Sequence, residues 1–285
     1  MWRPITAGFL ATWSVVFVDI GDLFDQDGFT CGSSASEKFK EISKQFAREE
    51  EALARHPGRR RDFQEIQVNV YMHVVAPSRN EPDGYLSDEA LERQFQVLKT
   101  DYEPTGIFFN LKSIDKTVNA TWASNTDLKS MWHSLHNGSY SDLNLWFIPT
   151  LGDYGFCTLP AVGRGSLGQA LLEDGCTIRS DTIPGGRAKN YNLGKTVTHE
   201  VGHWFGLLHT FEGGCEGDGD YIDDTPAQAS PSIGCPEGRD SCPEKPGLDP
   251  IQNFMDYSYD ACYKEFTPGQ VDRMMKVWNG VLQVF

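Results

Sequence analysis

Eleven residues in the last third of the chain, His199-Glu200-Val201-Gly202-His203-Trp204-Phe205-Gly206-Leu207-Leu208-His209, restrict the local fold more than any other stretch. A helix predicted over Thr196 to Leu208 sets His199 and His203 at i and i+4, so both imidazoles leave one face, a turn apart. That spacing lets two ring nitrogens reach one tetrahedral Zn²⁺ at about 2.0–2.1 Å. Gly206 supplies a positive φ at which the chain leaves the helix, and the turn swings His209 back as a third ligand. Glu200, beside the first ligand, is placed to take a proton from water at the metal, not to bind the metal. Three protein ligands with an open fourth position describe a catalytic zinc site, whereas a structural zinc is closed by four.

The rest of the chain has to hold that constellation, and its composition says where. The 285 residues carry 25 Lys+Arg against 40 Asp+Glu, a formal charge of −15. This excludes a phosphate-backbone binder, which needs a basic face. Hydrophobic residues at 39% and aromatics at 12% are enough for a real core and exclude a disordered chain. No apolar run reaches the length of a membrane span. Ile5 to Val18 behind Arg3 instead has the length of a signal-peptide core, which assigns residues 1–18 to a signal peptide, although no A-x-A site follows. Seven cysteines and the sequons at Asn119 and Asn137 agree with secretion. The odd cysteine count leaves at least one thiol unpaired within the chain.

Residues 19–60 read as a separate segment. An acidic stretch runs to Thr30, Ser36 to Ala54 carries helix formers with Phe39, Ile42, Phe46 and Leu53 at helical spacing, and a breaker with Arg59-Arg60-Arg61 follows. Such a breaker is how an exposed, nickable linker reads, or simply a basic surface turn. From Gln67, Val68, Val70, Met72 and Val74 alternate as a half-buried strand. Ser87 caps a helix to about Tyr102; Ile107 to Ile114, Leu143 to Ile148 and Thr177 to Ile183 read as strands, with a short helix near Leu128 to His136. After Glu212 some forty residues of Gly, Pro, Asp and Cys lose all periodicity, and Pro268 to Gln283 resumes a helical pattern.

The long histidine motif, with Asn253-Phe254-Met255-Asp256-Tyr257 downstream, resembles the metzincin metalloproteases and their Met-turn. Asp220-Tyr221-Ile222-Asp223-Asp224-Thr225-Pro226 and Gly234-Cys235-Pro236 resemble the pappalysin family within them. The resemblance is dense from about Tyr191 to Val271 and thin before. It implies an α+β fold: a twisted mixed sheet with the active-site helix in an upper lobe, and an irregular, disulfide-linked lower lobe with a C-terminal helix, over residues 61–285. It implies a secreted zinc endopeptidase, acting on protein or peptide substrates as a monomer, away from membranes and nucleic acid. Met255 becomes a hydrophobic floor below the metal. Tyr257 becomes an oxyanion donor, where the residues alone allow a buried aromatic.

Spacing does not fix disulfide connectivity. The resemblance implies Cys215–Cys242 and Cys235–Cys262, which leaves Cys157 to Cys176. Cys31 is then the odd thiol, and by resemblance a zinc ligand in a latent form, cut free within residues 58–62; otherwise it is a partner for a bridge or an ordinary free thiol. Asp218, Asp220, Asp223 and Asp224 with Thr225 are hard oxygen donors suited to Ca²⁺, or a solvated acidic loop. By resemblance Asp260 lines the pocket for the side chain just after the scissile bond and favours Arg or Lys there; otherwise it is a surface acid. Two other functions fit parts of the pattern. A zinc-binding interaction module would ordinarily lack Glu200 or a ligand, and a non-proteolytic metal hydrolase would not need the Met-turn and disulfide region.

Overall fold

β1 (Ile66–Ala76) is an inner strand: Val68, Val70, Met72 and Val74 have no exposed surface, and from Met72 onward both faces are buried, so the half-buried alternation holds only for its first half. It pairs in parallel with β2 (Ile107–Val118) on one side and β3 (Leu143–Ile148) on the other. β3 pairs in parallel with β5 (Cys176–Arg179), and β4 (Gly155–Cys157) closes the edge antiparallel to β5, giving the order β2-β1-β3-β5-β4. The computed structural model describes residues 29–54, 64–161 and 167–282. The signal-peptide reading of 1–18, the acidic stretch before Phe29 and the cluster Arg59–Arg61 lie outside the described residues.

Helices cover both faces of the sheet. α2 (Asp88–Tyr102) starts at Ser87, whose hydroxyl accepts the Ala90 N–H, and buries Leu91, Gln94, Phe95, Leu98 and Tyr102. α6 (Lys195–Trp204) crosses the same face, with every side chain from Thr196 to Trp204 buried. α2 fixes where α6 begins: Asp101 takes Lys195 Nζ at 2.7 Å and Thr198 Oγ1 at 2.6 Å, and Tyr102 Oη donates to Thr198 O at 3.0 Å. α3 (Ala120–Ala123) and α4 (Leu128–Leu135) pack Ala123 and Met131 with Val75, Trp146 and Ile148 in a second apolar cluster. α5 (Leu167–Leu172) precedes β5. α1 (Glu37–Ala54) and α7 (Pro268–Val277) complete the helices.

Between α6 and α7 the chain has no regular element, so buried side chains satisfy its backbone. Asp256, with no exposed surface, accepts from Ser232 N at 3.0 Å, Gln228 Nε2 at 2.9 Å and Ser258 Oγ at 3.1 Å. Asn253 and Gln270 exchange amide hydrogen bonds at 2.7 and 3.0 Å, tying the loop to α7. Disulfides Cys215–Cys242 and Cys235–Cys262 interlace here, each closing 27 residues, and chain-entropy bookkeeping gives about 3–4 kcal/mol apiece. Cys157–Cys176 joins directly opposed residues of β4 and β5 and pins the edge strand.

Several boundaries differ from the sequence reading. The strand expected to Ile183 stops at Arg179, because Thr182 Oγ1 donates to Arg179 O at 2.9 Å and closes a 3-10 turn over Ser180–Thr182. The helix expected to Leu208 ends at Trp204: Gly206 has φ +84°, Leu207 N donates to Gly202 O and Gly206 N to His203 O, a Schellman end. α7 gives way at Trp278 to a π turn through Leu282.

Asp174 joins β5 to α6: it is 1% exposed and accepts Trp204 Nε1 at 2.9 Å and Thr158 Oγ1 at 3.3 Å. Burial pushes its carboxyl from 3.8 up to about 7. The folded state therefore holds a proton that the unfolded state releases, and stability present below pH 3.8 is lost as pH rises through about 7. The loss is of order 4 kcal/mol at about 1.36 kcal/mol per pH unit. Asp174→Asn keeps the shape and the acceptor for Trp204. It should melt above the parent at about pH 8 and close to it at about pH 4; an equal difference at both would exonerate this carboxyl.

Candidate active site

α6 and the turn after it bring three imidazoles together by their Nε2 atoms. His203 Nε2 is 3.2 Å from His199 Nε2 and 3.1 Å from His209 Nε2. Backbone carbonyls orient two of the rings: His199 Nδ1 faces Phe254 O at 2.6 Å and His203 Nδ1 faces Leu207 O at 2.8 Å. A carbonyl only accepts, so the proton sits on Nδ1 and the Nε2 lone pairs point at one another. Burial favours the neutral rings, pushing His203 down to about 4 and the other two well below the ordinary histidine value. Lone pairs facing one another in a buried space require a cation between them. The donor set fits Zn²⁺, which neutral imidazole nitrogen binds well.

A fourth donor faces the same space. Cys31 Sγ and the three histidine nitrogens all lie within 4.8 Å of one another. Cys31 is the free cysteine among the described residues. Its segment lies along the edge strand, with Gly32 N donating to Gly155 O and Tyr154 N to Thr30 O, both at 2.9 Å, so that Cys31 bridges Gly155 in parallel. Burial raises the thiol's pKa, and the nearby Glu200 carboxylate raises it further. A divalent cation among the imidazoles reverses that preference and favours thiolate.

Glu200 has no exposed surface. Its Oε2 accepts Ser33 Oγ at 3.0 Å and Cys31 Sγ at 3.4 Å, while Oε1 has no partner. Burial pushes the carboxyl up to about 8. Met255, fully buried, lies under α6, and a Cβ at Gly202 would overlap its Sδ. The Met255 carbonyl accepts Thr210 N at 3.3 Å, so the same turn holds the chain after His209 and, through Phe254 O, His199.

Tyr257 Oη lies 3.3 Å from His209 Nε2 and accepts Cys31 N at 3.2 Å, and burial raises its phenol. Asp260 is 1% exposed; Oδ2 accepts Leu193 N at 2.7 Å, and no side chain engages Oδ1. Burial pushes its carboxyl up to about 7. The candidate calcium donors separate. Asp220 is buried beside Thr225, with its Oδ1 accepting Ile222 N at 3.1 Å. Asp224 turns away to α7, accepting Thr267 Oγ1 at 2.7 Å and Gly269 N at 2.8 Å. Asp218 pairs with Lys44 at 2.7 Å, and Asp223 is exposed.

The family model described as "Pregnancy-associated plasma protein-A" matches residues 185–279. An extracellular metalloprotease of Podospora anserina is 50% identical over 268 residues, covering 90% of this chain and 91% of that protein. The chain belongs to the pappalysin metalloproteases. An extracellular metalloprotease of Neurospora crassa is 50% identical, with 88% of both chains covered. Among solved structures, mature mirolysin of Tannerella forsythia in complex with a cleaved peptide matches with TM-score 0.61 and 28% identity, covering 75% of this chain and 92% of its own. A promirolysin mutant from the same organism matches with TM-score 0.68 and 26% identity, covering 88% and 94%. This pappalysin is an extracellular zinc metalloendopeptidase with the metzincin fold. No helix among the described residues is long and apolar enough to cross a membrane.

The sequence reading had no signal for two residues that shape this pappalysin's site. Ser33 joins Glu200 to the edge strand, since Cys157 N donates to Ser33 Oγ at 2.8 Å. At Gly155 a Cβ would stand 2.8 Å from Glu200 Cγ, so β4 passes close to the carboxylate only as glycine. Neither residue sits in a local motif.

Proposed function

We propose that this chain is the latent precursor of the protease, with residues 19–60 as propeptide and 61–285 as catalytic domain, matured by a cut within residues 58–62. The carrying observation is Cys31 Sγ among His199, His203 and His209, beside Glu200. The two mirolysin forms support it: the pro-form spans 88% of this chain and the mature form 75%. In this reading His199, His203 and His209 hold zinc, and Cys31 is its fourth ligand until the propeptide leaves.

Bound zinc supplies Lewis acidity, polarising the scissile carbonyl and acidifying water at the site. Glu200 then takes the attacking water's proton and passes it to the leaving amine. Tyr257, freed from Cys31 N, turns its hydroxyl to the developing oxyanion. Cys31, Ser33 and the β4 edge contacts exclude water and substrate in the precursor. Asp220 and Thr225 are the remaining candidates for a structural Ca²⁺.

The matured protein should cleave denatured casein. A zinc chelator should abolish cleavage and zinc should restore it. Unimpaired cleavage in chelator would remove the zinc dependence, and no cleavage with zinc bound would replace the protease reading with a binding module. Zinc alone restoring full thermal stability would remove calcium.

Asp260 is assigned to the pocket after the scissile bond, preferring Arg or Lys. Its buried Oδ1, which no side chain engages, supports this, because a buried carboxylate favours a cation beside it. Cleavage before Arg60 or Arg61 would then let the enzyme mature itself. Asp260→Ala should lose about 2–5 kcal/mol in kcat/KM for basic substrates and keep its zinc. A wild-type library profile dominated by Leu or Phe after the cut would sink this assignment.

A further inference from the structure

α1 presents one face to α7 that is neither wholly apolar nor wholly charged. Phe39, Ser43, Phe46 and Glu50 recur at helical spacing on it. Phe39 is 4% exposed and ends against Gly206, where a Cβ would stand 3.2 Å from Phe39 Cζ and 2.9 Å from Val277 Cγ2. Phe46 lies beneath two cations, with Lys276 Nζ at 4.8 Å and the Arg273 guanidinium at 5.7 Å from its ring centre.

Those cations are buried and take their anions from α1. Arg273 is 1% exposed and Lys276 8%. Arg273 grips Glu50 with two prongs, Nε to Oε1 at 3.1 Å and Nη2 to Oε2 at 2.9 Å, and also donates to Tyr221 O at 2.7 Å. Lys276 Nζ pairs with Glu49 at 3.0 Å and donates to Phe46 O at 3.1 Å. At the other rim the signs reverse: Lys40 meets Glu212 at 3.2 Å and Lys44 meets Asp218 at 2.7 Å. α1 supplies part of that burial, so shedding it gives up two ion pairs, the Phe46 ring contacts and the packing of Phe39, none of which depends on the covalent link downstream. Every contact comes from residues 39–50, upstream of the basic cluster.

We infer that the α7 face around Arg273, Lys276, Val277 and Gly206 is a receptor for an amphipathic helix with glutamates at its C-terminal end, and that α1 stays on it after the chain is cut. Cutting alone then leaves Cys31 over the zinc site, and activity appears only when α1 is released. This rests on the precursor reading above.

The test uses the full-length, zinc-loaded protein, nicked at Arg59–Arg61 by limited treatment with a trypsin-like protease. It is then gel-filtered at about 50 mM and about 1 M salt, which screen ion pairs very differently. At low salt the N-terminal fragment should co-elute, with peptidase activity at least about tenfold below that of the protein separated at high salt. Glu49→Gln/Glu50→Gln, or Phe46→Ala as an uncharged second variant, should shed the fragment at low salt and become active on nicking. A wild-type fragment that elutes alone at low salt, or variants that retain it equally, would overturn the receptor. Retention is read by mass, so it is scored independently of latency. An uncut chain already as active as the separated protein would sink the precursor reading instead.

Discussion

Glu200→Gln should leave zinc content unchanged and lower kcat/KM on a peptide substrate by about two to four orders of magnitude, the usual worth of a positioned general base. The three imidazoles are oriented by Phe254 O and Leu207 O and by packing, none of which the substitution touches. Gln has nearly the shape of Glu, and its carbonyl can still accept from Ser33 and Cys31, so the precursor should fold as before. What disappears is the group that accepts a proton. Because the carboxyl is raised to about 8 by burial, its ionisation is costly without a nearby positive charge, and the zinc supplies one. Elemental analysis with steady-state kinetics on the matured protein decides the matter. Turnover within a few-fold of wild type would take Glu200 out of proton transfer.

Cys31→Ala should convert the uncut chain from inactive to measurably active, by at least about tenfold, or ~1.4 kcal/mol in the closed-to-open equilibrium. It should also speed the appearance of the mature N-terminus. The thiolate is the strongest zinc ligand the segment offers. Ser33 N–H, 3.3 Å from Sγ, helps hold that charge. Alanine keeps the backbone pairing of Thr30 and Gly32 with β4 and removes only the sulfur. The gain should therefore be partial, with the edge pairing and α1 still in place. Initial rates on intact-mass-verified precursor, with N-terminal sequencing over time, give the answer. If the variant stays fully silent and matures at the parental rate, Cys31 is a bystander.

Local chemistry was legible and long-range chemistry was not. His199, Glu200 and His203 could be read because a helix converts spacing into direction, and α2 because Ser87 and its apolar periodicity are both local. Cys31 stood out as the odd thiol. Its neighbour Ser33 did not, since its bond to Glu200 spans 167 residues and a serine two places on carries no pattern. β4 has three residues, too few for any period. Thr177 to Ile183, ahead of Pro184-Gly185-Gly186, read as one strand, which the Thr182 hydroxyl ends by binding backbone. Asp224, grouped with the other loop acids, serves the N-terminus of α7 through Gly269 N.

The pairing of residues 30–32 with β4 also sets what the open enzyme needs. In the precursor reading, once the segment leaves, Gly155 O and Tyr154 N–H on the sheet's edge lose their backbone partners. An exposed strand edge is a template for another extended chain. Only one chain fits it at a time, so the leaving segment and an arriving polypeptide compete for a single berth. While tethered, the segment competes at an effective concentration of order millimolar, which dilute substrate does not match. Severing the tether turns that fixed local concentration into one that falls with dilution, and the onset of proteolysis becomes a function of how much protein is present.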